Sequence, residues 1–520
     1  MTRPLRPRIA LPLWLATLVS IAGGLAFMAS FPAPGIWPLA FVAVALSLVS
    51  LIGRRPGGAL LVGTAFGAAF YFPHISWTAG FLGDNELAWV PWVALASFET
   101  LLMGLGAILI SLAYRWIGRI VRSPLWRMAA TSLAVAGLWT SREIVLGSWP
   151  FGGFPWGRVG MGQAGSPLGQ FASWVGVDGL TFAIVLAVAL AVEATRLIVG
   201  RRRIRRWWTL AAPAFVLAVV ILVPQFPTHA VGTLRVAAVQ GNGPTAYLDE
   251  RARYDVLDAQ LQATDVALDA GADLIAWPEG SVGLDPRRDD KAAGVLTAVA
   301  QVTGAPILLN AAADVGDDTY NMSMLWTANG VEQTHSKRNP VPFGEYVPVR
   351  HVFEKIVPSL IGMIGREYTP GTDAPTMDVG GTTIGLAICF DVLYDSLVHE
   401  SIEEGAEVLV FQTNNADFRG SDENLQQLEF ARMRAIETGR TVVNVSTVGT
   451  SEVIAPDGST LEQVGVDIAG AIVRDVELRE GTTPAVWAAP WIRGILLGGP
   501  PAALAIFGVL AVRFRRSLEA

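Results

Sequence analysis

Cysteine is nearly absent from this chain: Cys389 is the only one in 520 residues. That excludes a disulfide framework, a multi-cysteine zinc site and an iron–sulfur cluster, each of which needs several thiols. Charge is also scarce, at 16% of residues against the quarter usual in soluble domains. Lysine is scarcer still, with Lys291, Lys337 and Lys355 the full complement. What fills the space is apolar, 52% of the chain, including 17 Trp, at a mean hydropathy of +0.44. An ordinary cytosolic enzyme and a disordered chain are both excluded by that balance.

The few charges are unevenly placed. Residues 233–488 hold 17 basic and 38 acidic residues, a net charge of −21, whereas the remainder holds 21 and 7, a net of +14. An acidic, soluble-looking segment therefore sits inside a basic, apolar one. Nucleic acid is not an expected partner, because a phosphate backbone attracts the opposite sign.

Eight apolar runs account for the rest: 11–31, 36–53, 59–76, 88–113, 128–149, 174–194 and 207–223 precede the acidic segment, and 494–512 follows it. Most approach the roughly 20 residues that a bilayer-spanning helix needs. The fifth is interrupted by Arg142 and Glu143. The first run, behind Arg3, Arg6 and Arg8, has the look of a signal peptide, but six further runs before the acidic segment favour an uncleaved anchor. With the N-terminus inside, 18 arginines fall on the inner side: Arg3, Arg6, Arg8, Arg54, Arg55, Arg115, Arg119, Arg122, Arg127, Arg196, Arg201, Arg202, Arg203, Arg205, Arg206, Arg513, Arg515 and Arg516. Only Arg142, Arg158 and Arg493 fall outside. By the positive-inside rule this predicts eight spans with both ends cytoplasmic and the acidic segment outside the membrane. The expected organisation is a seven-span membrane region over 1–224, an acidic extracytoplasmic domain over 225–489, and a last span with a basic tail over 490–520.

Within the acidic segment, strand and helix patterns alternate. Strands are expected at 233–240, 273–277, 306–311, 322–326, 331–335, 382–389, 408–413, 441–446, 451–455 and 471–476. Helices are expected at 249–269, 288–302, after Cys389 to about Glu404, and 424–438. The pattern predicts a layered α/β fold with helices outside the sheets. Residues 351–365 differ, since Val352, Phe353, Ile356, Val357, Leu360, Ile361 and Ile364 recur at helical spacing. This helix either dips into a bilayer surface or belongs to the core.

Three residues sit where chemistry is done in such folds, at strand ends. Glu279 stands in WPEG, Lys337 in HSKRNPVPFGEYVP, and Cys389 in LAICFD. A thiol nucleophile needs a base for its proton and a cation for the oxyanion, and a carboxylate with an ammonium supplies both. Singly, each has a plainer explanation: a buried structural thiol, a turn carboxylate, a solvated lysine.

Together and in this order they resemble the carbon–nitrogen hydrolase (nitrilase) superfamily. With the eight-run membrane frame, the chain is similar to its apolipoprotein N-acyltransferase family. GGFPWGRVG at 152–160, AVQGN at 238–242, VPFGEYVP at 341–348, TNNADF at 413–418 and FARMRAIETGR at 430–440 match that family's motifs. The resemblance implies an α-β-β-α sandwich fused to a membrane bundle. It implies Glu279 as general base, Lys337 as oxyanion-holding cation and Cys389 as nucleophile. Glu345 would orient the lysine or assist proton transfer, and the backbone N–H of Phe390 would complete the oxyanion hole. The implied reaction takes an acyl chain from a phospholipid onto Cys389 as a thioester, then passes it to the α-amino group of a diacylglyceryl-cysteine apolipoprotein. It needs no cofactor and no metal, and would take place at the outer face of a bacterial cell membrane. Departures stand at Phe390-Asp391, where the family commonly shows Tyr-Glu, at Asp417, where a Trp is often seen, and at Tyr247, the nearest aromatic to another family Trp. They bear on donor choice rather than on the nucleophile.

Other classes fit less well. A membrane-anchored amidase would keep the Glu–Lys–Cys chemistry but need no seven preceding runs. A non-catalytic lipoprotein-binding homologue would tolerate loss of residues that are all kept here. A transporter would carry charges within its spans.

Overall fold

A computed structural model describes residues 9–199 and 204–519. Arg3, Arg6, Arg8, Arg201, Arg202 and Arg203, on which part of the orientation reading rests, lie outside the described residues. The chain divides into two units. One takes residues up to Ser76, then Val90–Pro224, then Ala488 onward; the other takes Trp77–Trp89 and Gln225–Trp487.

The first unit is helical. Its helices before residue 225 are α1 (Leu13–Met28), α2 (Leu39–Leu51), α3 (Pro56–His74), α4 (Trp89–Ile120), α5 (Pro124–Leu146), α6 (Ala172–Val199) and α7 (Ala211–Leu222), and a long helix, Pro484–Glu519, closes the chain. Every apolar run thus carries a helix. Length separates them: among the described residues three stretches are long and apolar enough to cross a membrane, Trp89–Ile120, Gly169–Val199 and Pro484–Arg516. A fourth counts if Pro56–His74 and the short turn Ser76–Leu82 form one bent span. At 1.5 Å rise per residue, the 13 residues of α2 reach only about 20 Å. Helix α5, with 23 residues, is long enough but carries Arg142 and Glu143.

Small residues let these helices approach. A Cβ at Gly24 of α1 would stand 2.4 Å from Phe66 O, and one at Gly63 of α3 would stand 2.4 Å from the Ala107 side chain. Polar contacts tie the rest. Glu143 accepts from Trp139 Nε1 at 2.8 Å and Thr181 Oγ1 at 3.1 Å, and the Val159 N–H lies 3.3 Å from both its oxygens. Arg142 is 3.4 Å from the same carboxylate. Arg158 and Arg493 both pair with Asp178, at 3.5 and 3.2 Å. The three arginines that break the sequence's charge asymmetry are therefore all ion-paired.

The second unit alternates strands with helices: β1 (His229–Gln240), α8 (Asp255–Thr264), β2 (Leu274–Ala276), α9 (Asp290–Thr303), β3 (Ile307–Val315), β4 (Asp318–Thr327), β5 (Gly330–Ser336), α10 (Arg350–Ile356), α11 (Pro358–Ile361), β6 (Thr376–Val379), β7 (Thr382–Ile388), α12 (Asp395–Glu403), β8 (Val408–Thr413), α13 (Glu423–Thr438), β9 (Val442–Ser446), β10 (Ser451–Ile454), β11 (Thr460–Val464) and β12 (Gly470–Glu480). They form two six-stranded sheets, ordered β12-β1-β2-β3-β4-β5 and β11-β10-β9-β8-β7-β6. The central strands β1, β2 and β3 run parallel, as do β7, β8 and β9.

Strand alternation builds the layers. Leu234, Val236 and Ala238 of β1 join Leu386, Val410 and Val443 in the core between the sheets. Ala237 and Val239 point the other way, onto Leu257 of α8 and Leu296 of α9. Helices α12 and α13 cover the outer face of the second sheet, packing on β7 and β9. The result is an α-β-β-α sandwich. Local signals set its boundaries: the Asp289 carboxylate caps α9 through the Ala292 N–H, and Gly304 ends it at φ +71°.

Three expectations need correction. The helix expected over 249–269 begins only at Asp255, because the Asp249 and Asp255 carboxylates accept from the N–H groups of Ala246 and Ala252 and hold turns there. The helix expected over 351–365 is broken at Pro358, which has no N–H to continue it. Strands β6 and β11 were not expected; β11 (TLEQV) is an edge strand with little apolar character.

Candidate active site

Chain reversals bring the chemistry together. Glu279 lies three residues beyond β2, Lys337 directly follows β5, and Cys389 opens a tight turn, Cys389–Leu393, that follows β7. Cys389 adopts φ +50°, a left-handed conformation uncommon for a residue with a side chain. It marks an abrupt strand-to-turn reversal at the residue that bears the thiol. Arg434, fully buried on α13, fastens this turn by donating to the carbonyls of Val392 (3.0 Å) and Leu393 (3.2 Å).

Lys337 is 1% exposed and Glu279 7%, so neither charge is screened by water. The ammonium lies 3.2 Å from Glu279 Oε1 and 2.8 Å from Glu345 Oε2. Asn321 of β4 donates its amide to both carboxylates, at 2.7 Å to Glu279 and 3.0 Å to Glu345. Its backbone carbonyl accepts from Lys337 N at 2.9 Å. The Val341 N–H donates at 2.7 Å to Glu345 Oε2, the same oxygen that faces the ammonium. The loop bearing Lys337 is tied to the Cys389 turn by buried Asp391, which accepts from Arg338 N (3.2 Å) and from Asn339 N and Nδ2 (both 2.8 Å). Phe390 is buried beside Asp391, its ring 5.7 Å from that of Tyr394. From α13, Gln427 Nε2 approaches Cys389 Sγ at 3.5 Å.

The electrostatics follow from burial and these partners. Burial works to discharge Lys337, but the carboxylates of Glu279 and Glu345, then Cys389 and Asp391, outweigh it and hold its pKa well above the usual ammonium range. Burial pushes the Glu279 carboxyl up, against the pull of Lys337. Burial and the Glu279 charge push the Cys389 thiol well up, with Lys337 opposing. The lysine does favour the thiolate, as its position implies, yet the resting thiol keeps its proton. A thiol in that state needs a base to react, and a carboxyl of raised proton affinity is a suitable one.

All five residues singled out in the sequence, Glu279, Lys337, Glu345, Cys389 and Phe390, lie in this region of the second unit. Asn321 and Gln427 were missed. Asn321 had a signal, being polar at the head of the buried run MSMLW. Gln427 had none, since a glutamine on a helix is ordinary.

This sandwich with a Glu–Lys–Cys cluster at its strand ends defines a carbon–nitrogen hydrolase domain. Residues 235–483 match the carbon–nitrogen hydrolase family model, and residues 23–190 match that of the apolipoprotein N-acyltransferase N-terminal domain. An apolipoprotein N-acyltransferase of Mycolicibacterium smegmatis is 32% identical over 92% of this chain and 82% of its own. Another, from Azotobacter vinelandii, is 30% identical over 94% and 95%. The chain belongs to the apolipoprotein N-acyltransferase family. Among solved structures, a variant of the Nesterenkonia AN1 amidase from the nitrilase superfamily matches 52% of this chain and 99% of that one, at 19% identity and a TM-score of 0.37. A carbon–nitrogen hydrolase superfamily protein of Xanthomonas campestris matches 51% and 97%, at 19% identity and a TM-score of 0.36.

Proposed function

We propose that this enzyme moves an acyl chain from a phospholipid, through a thioester on Cys389, to the α-amino group of the N-terminal diacylglyceryl-cysteine of apolipoproteins. The observation that carries the reading is the buried Lys337, with Glu279 and Glu345 at 3.2 and 2.8 Å, beside the chain's one thiol. Glu279 takes the Cys389 proton as sulfur attacks the ester carbonyl. Lys337 and the backbone N–H of Phe390 hold the oxyanion. The carbon–oxygen bond breaks, Glu279 returns the proton to the leaving oxygen, and a lysophospholipid departs. The lipoprotein amine then attacks the thioester, gives its proton to Glu279, and displaces the thiolate as the amide forms. Glu345 serves as the lysine's counter-ion. The same Glu–Lys–Cys set would serve an amidase, but the acyltransferase relatives match across both units, which favours acyl transfer.

The helical unit anchors the enzyme in the cell membrane as a multi-pass bundle, with the domain 225–489 on the extracytoplasmic side. Large apolar side chains support this reading: Leu222 is 76% and Phe215 70% exposed, surfaces that call for lipid rather than water. The side is read from the 18 arginines against three. Both substrates are lipid-anchored, so a site beside the outer leaflet suits them.

The test is direct because there is one thiol. Incubation with phospholipid and no acceptor adds one acyl mass, removable by neutral hydroxylamine, and Cys389→Ala abolishes the adduct. A Cys389→Ala variant with full transferase activity excludes the mechanism.

A further inference from the structure

The Glu–Lys cluster does not account for one neighbour of the nucleophile, Gln427 Nε2, 3.5 Å from Cys389 Sγ. A carboxamide can turn either its oxygen or its NH2 toward a sulfur, and only the NH2 stabilises a thiolate. Buried contacts further along run in one direction, with the Gln427 oxygen accepting. The Gly449 N–H can only donate, and it donates to Ser446 Oγ at 2.9 Å. The Ser446 hydroxyl in turn donates to Asn415 Oδ1, 2.6 Å away. With its oxygen accepting, Asn415 donates through Nδ2 to Gln427 Oε1 (2.8 Å) and Glu423 Oε2 (2.7 Å). The Gln427 oxygen is thereby occupied and its NH2 faces the sulfur. Ser446, Asn415, Glu423 and Gln427 are all buried, so the chain of donors keeps one direction from Gly449 to Cys389.

We propose that Gln427 is a hydrogen-bond donor to the reacting sulfur, aimed by Asn415 and Ser446 as positioning residues. The proposal rests on Cys389 being the nucleophile. The bond strengthens whenever negative charge collects on Sγ, which happens twice: when Glu279 takes the thiol proton, and when the amine displaces the thiolate. It weakens in the thioester, whose sulfur is a poor acceptor. Gln427 therefore favours the charged stages over the resting ones, which is what accelerates a reaction. The ionisable groups acting on the thiol are Glu279, Lys337, Glu345 and Glu423 of α13, and Asp391 stands in the thiol's own turn. Burial raises the pKa of Glu423 to about 8, so its charge, which pushes the thiol up, is added only as the pH rises through that value.

The experiment measures alkylation of the single thiol by iodoacetamide against pH, on the full chain in detergent. Gln427→Met keeps the length of the side chain and removes the donor. Its alkylation midpoint should rise by about one pH unit, slowing alkylation roughly tenfold at any pH below the midpoint. Its kcat for acyl transfer should fall with little change in KM. Asn415→Asp, of equal volume, makes the Gln427 amide turn its NH2 to the new carboxylate, and the midpoint should rise at least as far. If melting curves report that Gln427→Met does not fold, Asn415→Asp decides. A folded variant whose midpoint coincides with the wild type's overturns the proposal. Full transferase activity in Cys389→Ala instead overturns the nucleophile itself, whatever the alkylation profiles are.

Discussion

Lys337 stands closer to Glu345 than to Glu279, 2.8 Å against 3.2 Å, although both carboxylates are within ion-pair distance. The second glutamate is thus the lysine's nearer counter-ion. That leaves Glu279, pushed up by burial, better able to exchange a proton with the thiol. In the proposed mechanism, two carboxylates around one ammonium take different parts because their surroundings differ.

From this division, Glu279→Gln should slow thioester formation by roughly 10²–10⁴-fold, the range for loss of a general base. Glu345→Gln should cost less. Rapid-quench measurement of the acyl-enzyme from phospholipid distinguishes them, and equal losses would contradict the assignment.

Removing the cation is a separate matter. Lys337→Ala should raise the acylation barrier by about 3 kcal/mol, the scale of one oxyanion donor. Lys337→Arg should recover little, because a planar guanidinium does not fit a pocket built for a compact ammonium with two carboxylates. The same single-turnover assay reads both.

Glu423 gives a pH dependence of stability. Its carboxyl is held at about 8 in the fold against 4.5 in the open chain. The folded state therefore keeps a proton that the unfolded state sheds, and stability falls as pH rises from 4.5 to 8. The slope is at most roughly 1.4 kcal/mol per pH unit. Glu423→Gln removes the ionisation, so its melting temperature should exceed the wild type's at pH 8 and match it near pH 4.5. A wild-type curve that rises over this range more steeply than the variant's would refute the sign.

The segment broken at Pro358 separates two roles. Ile356 is 65% exposed, whereas Leu360 is 9% exposed. Leu360→Asp should destabilise the domain by several kcal/mol through an unpaired buried carboxylate. Ile356→Asp should leave the melting temperature unchanged yet lower turnover on phospholipid vesicles, while a short water-soluble ester still acylates Cys389. Calorimetry and the two donors check this.

The orientation reading is tested by reporters. A fusion after Ala488 should report an external location and one at Ala520 a cytoplasmic one; the reverse, or both on one side, rejects the eight-span topology.

Much of this was legible without coordinates. Alternation and helical spacing carry the layered α/β architecture, because burial on one face leaves a period in the chain itself. Lys337 and Cys389 stood out as rare types in loop and strand-end contexts, and Glu279 by its place after a strand in WPEG. Helix 351–365 read as continuous because apolar spacing is a stronger signal than one proline, yet the missing N–H broke it. Edge strand β11 was invisible, since an exposed strand needs no apolar face.

The split into apolar and acidic parts, the arginine asymmetry and the identity of the one possible thiol nucleophile are properties of composition and order, readable along the chain. Tertiary structure decided the rest. Asn321 holds two glutamates that lie 42 and 24 residues away, and Arg434 fastens a turn 42 residues before it. Gln427 meets a sulfur 38 residues distant with a direction inherited from Gly449. Hydrogen-bond direction and proton affinity depend on which groups share a dry space, and no spacing along the chain encodes that.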